Sequence, residues 1–525
     1  MRFRKHAPLA LAALSSLSAA SLALAHEPVD LNAVTRIREQ AFEHSKVMDI
    51  LWNLTDKLGP RLTNSTEMFR AARWARDRLT EMGMDNARLE PWGEFGMGWS
   101  FQRCRVEMTD PTYMPMIAIP RAWTSGTNGE IKGVPVYVDA DNAEDLEEYK
   151  GNLAGKIVLV GPVNPVDTPF EPLAKRHDAE SLAALAKPRE RGGNNDFARR
   201  FAEFRRLRAL RNAMNKMFKE EGVAAIITHD NGRYKDYGVI SLGSGGSRDP
   251  DDERALPQVI VSREQFNRVA RLLEHGEEVQ MAVDVKTSFQ DDDLTGYDIV
   301  AEIPGSDPAL RDQVVMIGGH FDSWHPATGA TDNGAGSAVM MEVMRIIKDA
   351  GLKPRRTIRI ALWTGEEQGL LGSRGYVKNH FADRATMELK PEHSKLAAYF
   401  NMDNGGGRLH GVYLEGNASV APIFRAWMKP FEDLGMTTLT MRGTGGTDHL
   451  SFQAVGLPGF QFIQDQMDYS TRSHHTNMDL YERVKPFDVE QSAAVIASFA
   501  YHAAMRDDML PRGPLPKPTR RRGRN

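Results

Sequence analysis

Short apolar runs alternate with amphipathic stretches over the last two fifths of this chain. Strands are predicted at Asp298–Ile303, Gln313–Ile317, Thr357–Trp363, Leu396–Met402, Val412–Leu414 and Phe460–Ile463. They are β-branched or aromatic and short, as a buried sheet requires. Helices near 334–350, 369–380, 420–434 and 487–504 would cover its faces. Toward the N-terminus the period is helical from Val34 to Leu58. Gly59-Pro60-Arg-Leu-Thr63 breaks it. Ser65-Thr66-Glu67 opens a second helix that runs to Met82, and Ala87 to Trp92 reads as a strand. The texture changes at residue 122. Val134–Asp139, Lys156–Val160, Ala224–Thr228, Val259–Val261 and Met281–Val285 are β-like runs separated by turns and loops, which predicts a mostly β module over 122–290. Within it, Asp196 to Glu221 forms a basic helix. Its apolar stripe holds Phe197, Phe201, Phe204, Leu207 and Met214. Gly243-Ser-Gly-Gly-Ser247 reads as a mobile loop by composition.

The expected architecture is therefore α/β. A three-layer domain with a mixed sheet is built from 26–121 and 291–508, with the β module inserted between them. Residues 509–525, rich in Pro and Arg, form a disordered basic tail. At the other end, a basic start (Arg2, Arg4, Lys5), an uncharged Ala- and Ser-rich run and Ala23-Leu24-Ala25 predict a signal peptide. It is cut after Ala25, giving a periplasmic or secreted protein without a membrane span. Its removal takes the net charge from −4 to −7, and no basic excess points to nucleic acid. Cys104 is the sole cysteine, so the exported chain has no internal disulfide and no cysteine-based zinc site.

The candidate chemistry lies just past the predicted strand ends. His320, Asp322 and Asp332 follow the strand ending at Ile317. Glu366 and Glu367 follow Trp363, and Asp403 follows Met402. His474, His475 and Asp479 come later, with Asp448 and His449 upstream of them. Ligands of such sheets gather at the carboxyl ends of the strands. Two His with several carboxylates are too many ligands for one open tetrahedral zinc. They suit two metals sharing a carboxylate. Of the adjacent Glu366 and Glu367, one can ligate while the other carries protons. Asp322 and Asp479 are placed to accept the second N–H of ligand imidazoles. His325 and His474 read as neighbours rather than ligands. No Gly-x-Ser-x-Gly elbow or His-Glu-x-x-His helix offers another hydrolase route.

Gly-Gly-His-Phe-Asp-Ser, Thr-Asp-Asn-Gly-Ala-Gly, Thr-Gly-Glu-Glu-Gln-Gly and His-His-Thr-x-x-Asp, in this order, resemble the M28 family of co-catalytic zinc peptidases. The inserted module resembles the protease-associated domain found in that family. The resemblance implies two zinc ions per chain, short peptide substrates and Asp332 as the bridging ligand. His320 and Asp403 would hold one zinc, and Glu367 and His475 the other. Glu366 would be the general base, Asp322 would orient His320, and a cis peptide would follow Asp332. The Asp-Ser-Trp run and Met509-Leu-Pro-Arg512 point to a carboxypeptidase or dipeptidase branch. Asp448-His449, beside the ligands or the substrate, is nearer the aminopeptidase branch. A homodimer, with the basic helix as contact or lid, completes the expectation.

Overall fold

The computed structural model describes residues 27–188, 195–230 and 236–519; the expected signal segment lies outside them. The organising element is an eight-stranded mixed sheet. From one edge its strands are Asp85–Glu94, Thr295–Ile303, Thr357–Trp363, Val314–His320, Leu396–Asn401, Gly459–Gln464, Leu409–Tyr413 and Thr438–Thr440. The four central strands, Thr357–Trp363 to Gly459–Gln464, are mutually parallel. All four therefore end on the same edge. Thr295–Ile303 and Leu409–Tyr413 flank them antiparallel.

Helices Ala335–Asp349 and Pro486–Met505 bury one face of the sheet together with the N-terminal helices. Leu371–His380 and His449–Gln453 cover the other. The single helix expected over 34–58 is instead broken. Leu31–Phe42 stops, and Val47–Trp52 starts after a turn. Tertiary contacts make the break. Lys46 N donates to Glu342 Oε1 at 3.0 Å, and the buried Arg345 reaches the Gln40 carbonyl at the same distance.

The stretch expected as an inserted β module, 122–290, shares a sheet with an earlier strand: Gly98–Asp110 pairs antiparallel with Gln280–Gln290. It is also less purely β than expected. Gln258–Val261, Ala225–His229, Ile157–Val160 and Val136–Val138 form a parallel run, and helices Asn195–Glu220 and Arg263–Glu274 serve it. Among the described residues, the C-terminal part of Asn195–Glu220 packs through Met214, Met217 and Phe218, with Leu210 and Ala213 against them. Of the expected apolar stripe, Phe204 and Leu207 are exposed, while the side chains of Phe197 and Phe201 lie outside those described. At 1.5 Å per residue the helix is roughly 39 Å long.

The Gly-rich loop 243–247 is anchored rather than loose. Gly245 N donates to Ala122 O at 2.9 Å. A Cβ on Gly246 would lie 1.8 Å from the Trp123 carbonyl oxygen. The described part of the tail, 509–519, is not free either. Leu510 is buried. Asn417 Nδ2 donates to Pro511 O at 2.7 Å, and Arg512 to Leu396 O at 2.6 Å. Composition alone does not reveal these backbone acceptors. Among the described residues no helix is long and apolar enough to cross a membrane.

Candidate active site

The parallel edge brings the predicted residues together. His320 ends its strand, Glu366 and Glu367 follow Trp363, Asp403 follows Asn401, and His475 lies beyond Gln464. Asp332 comes from the turn Ala330–Gly334, which leads into the helix Ala335–Asp349, and the Asp332–Asn333 bond is cis. Its Oδ1 lies 3.2 Å from His320 Nε2, and its Oδ2 lies 3.3 Å from His475 Nε2. Asp403 Oδ1 is 3.5 Å from His320 Nε2, and Glu367 Oε2 is 2.8 Å from His475 Nε2. Each imidazole thus faces one oxygen of Asp332 and one further carboxylate.

The donor set fits divalent cations. His320 Nε2, Asp332 Oδ2 and Glu367 Oε1 are buried and make no hydrogen bond. His320, Asp332 and Glu367 converge within 4.8 Å, and so do Asp332, His474 and His475. Orphaned imidazole and carboxylate atoms at this density are costly unless a cation satisfies them. Burial pushes Glu367 up, to about 7, against the opposing pull of His475. It also raises Glu366 well above the usual carboxylate range, with Asp403 and Asp448 adding to the effect. A carboxylate in such a setting accepts a proton readily.

Two neighbouring carboxylates differ in what they do. Asp322 lies against His320, its Oδ1 3.6 Å and its carbonyl oxygen 3.0 Å from Nδ1. It also accepts from Thr63 Oγ1 at 2.8 Å and from the N–H groups of Glu366 and Glu367, both at 3.3 Å. Asp479 was expected on an imidazole. It instead accepts from Thr331 N at 2.7 Å, Thr331 Oγ1 at 2.8 Å and Asp332 N at 3.0 Å. The reason is the turn, whose N–H groups point at it. Asp448 is fully buried, and burial raises its carboxyl to about 7. His449 faces Glu415 at 3.3 Å and is in neither cluster. His325 Nε2 donates to the Pro120 carbonyl, 2.8 Å away. His474 is closer than expected. It stacks on His475 at 3.8 Å, with Nε2 3.9 Å from Asp332 Oδ2.

Sequence reading passed over Arg61 and Tyr469. Arg61 is fully buried and donates to the carbonyls of Phe321, Leu54, Thr328 and Gly329. It thereby ties the N-terminal segment to both arms of the Asp332 loop. Its only signal was a charged residue inside a helix-breaking Gly-Pro turn. Tyr469 is buried beside Asp332, Asp403 and Glu367, and its ring lies 4.8 Å from that of His474.

Residues 298–500 match the sequence profile of Peptidase family M28. The matched stretch holds His320, Asp332, Glu367, Asp403 and His475. Carboxypeptidase Q of Mus musculus is 26% identical over 459 residues, 87% of this chain and 86% of the relative. A peptidase M28 precursor structure from Shewanella amazonensis superposes with a TM-score of 0.63 at 26% identity, covering 93% of this chain and 99% of that one. A zinc aminopeptidase structure from Bacillus subtilis shares the fold at 17% identity, with a TM-score of 0.53 over 88% of this chain and 95% of its own. The M28 match begins after Gln290 and ends before the described tail.

Proposed function

We propose that this chain is an exported dizinc exopeptidase that hydrolyses dipeptides or short peptides, with carboxypeptidase Q-like specificity. One observation carries the reading. Asp332 turns one carboxylate oxygen to His320 and the other to His475, and Asp403 and Glu367 each complete one side. His320, Asp332 and Asp403 would hold one zinc ion, and His475, Asp332 and Glu367 the other. When bound, the pair supplies Lewis acidity toward the scissile carbonyl and toward water.

The remaining work falls to side chains of the chain. Glu366, beside this cluster but in neither pair, takes a proton from the attacking water on its carboxylate and passes it to the leaving amine. Burial suits it to that exchange by bringing its affinity for the proton closer to that of the partners. Asp322 holds the His320 ring and the Glu366–Glu367 backbone in one arrangement. Asp479 holds the backbone from which Asp332 projects. The inserted module has the character of a protease-associated domain that walls the site. Its Leu242 N donates to His475 O at 2.7 Å, next to the ligand imidazole.

An aminopeptidase is the second reading. It draws on the Asp448-His449 pair, though His449 lies against Glu415. A product assay on a free dipeptide, its N-acetylated form and its C-amidated form separates them. Zinc-loaded protein is compared with Glu366→Gln. Cleavage of the free dipeptide alone supports the first reading. Trimming of the amide with sparing of the acetylated peptide supports the second. Equal rates for wild type and Glu366→Gln would sink the catalytic assignment.

A further inference from the structure

The insertion and the M28 domain enclose a cleft of about 600 Å³ whose lining includes the ligand Glu367 and, on the module side, Arg248. Phe95, Trp123 and Trp324 supply its apolar surface. The Arg248 guanidinium lies 4.7 Å over the Phe95 ring, and its Nε donates to the Phe95 carbonyl at 2.6 Å. Its own carbonyl accepts from Met97 N at 2.8 Å. Gly96 permits this approach, since a Cβ there would lie 2.5 Å from the Arg248 oxygen. The side chain is therefore held at backbone and ring before any ligand arrives. Its two terminal nitrogens make no hydrogen bond or ion pair within the described residues.

The acids in the cleft do not neutralise it. Asp252 accepts from Ser247 Oγ, and Asp249 from Asp251 N. Glu94 is exposed, and Glu367 belongs to the metal cluster. Arg248 is the one cation among the lining residues. Burial lowers its proton affinity, and no carboxylate offsets that cost. Beside Glu367, Gln368 also lines the cleft. Its amide oxygen and nitrogen are both buried without a partner. A fixed guanidinium and an unsatisfied amide, within a cleft that reaches the metal cluster, form a receptor for a planar anion.

We infer that Arg248, with Gln368, binds the free α-carboxylate of a short peptide substrate and so sets the end-specificity. The inference rests on the peptidase reading above for the identity of the ligand. The insertion then contributes a specificity-determining residue, and peptides whose C-terminus lies beyond the cleft are excluded by length.

The test uses full-length zinc-loaded protein with a free dipeptide and its C-terminal amide. The acid should be hydrolysed faster than the amide. Arg248→Gln should lower kcat/KM for the acid roughly 10- to 100-fold, the worth of a charge-assisted contact, mainly through KM. It should lower the amide rate far less, and Arg248→Lys should recover part of the loss. A second readout is calorimetric binding of both peptides to Glu366→Gln, with and without the Arg248 change. Equal loss on acid and amide, or no preference for the acid in the wild type, would overturn the inference and leave the peptidase reading intact. Preferential binding of the acid, abolished by Arg248→Gln, in a protein that cleaves neither peptide would uphold the anion receptor and remove the peptidase reading.

Discussion

Asp479 grips the main chain of Asp332: its Oδ2 accepts from the Asp332 N–H at 3.0 Å, while Oδ1 accepts from Thr331. A carboxylate beneath the proposed bridging ligand fixes the direction in which that ligand projects, without touching either imidazole. Asp479→Asn keeps the volume but replaces one accepting oxygen with an amide donor, which faces N–H groups that also donate. Zinc affinity should fall about 10- to 100-fold. Competition against a chromogenic chelator checks this, and unchanged affinity would remove Asp479 from the site.

Arg61 should matter for folding more than for chemistry. Arg61→Leu leaves four carbonyls, those of Leu54, Phe321, Thr328 and Gly329, without their donor in a buried setting. The cost should be about 3–5 kcal/mol of stability. Denaturant unfolding measures it; a loss below about 1 kcal/mol would mean that water replaces the guanidinium.

A pH dependence follows from Asp465. Burial raises its carboxyl, but the contacts from His410, the His177 N–H and Arg176 outweigh that and hold it at about 2. A carboxylate depressed in the folded state stabilises the fold above its unfolded value of roughly 4. That contribution is lost as pH falls from about 4 to about 2. Arg176 reaches across from the insertion, so Arg176→Gln should move the acid-unfolding midpoint to higher pH. Tryptophan fluorescence during acid titration reads the shift, and a midpoint moving the other way would contradict the assignment.

Gly246 offers a steric test of the anchored loop. A methyl group there meets the Trp123 carbonyl at 1.8 Å, so the loop carrying Arg248 must move. Gly246→Ala should cost on the order of 1–3 kcal/mol and raise KM for short peptides while zinc content stays the same. Wild-type KM in that variant would show that the loop does not form the cleft wall.

The local pattern of the chain was enough to place the central strands and the residues just beyond their ends. Apolar runs at Gln313–Ile317, Thr357–Trp363 and Leu396–Met402 can be buried in one way, and a parallel sheet sends all their carboxyl ends to one edge. His320, Glu366, Glu367 and Asp403 were therefore legible in the sequence, and the spacing of His475 and Asp479 added to them. The pairing of atoms was not legible. Which oxygen of Asp332 meets which imidazole depends on the turn Ala330–Gly334 against the His475 loop, segments about 140 residues apart. Asp479 faces backbone N–H groups because that turn presents them, and no side-chain pattern encodes this. Arg61 and Arg248 stayed hidden for a related reason. Each is held by main-chain carbonyls, which every residue carries, so no sequence pattern marks the acceptors. The place of Gly98–Asp110 likewise rests on pairing with Gln280–Gln290 across nearly two hundred residues. Periodicity reports the faces that a segment buries, while long-range pairing in the folded chain decides its partners.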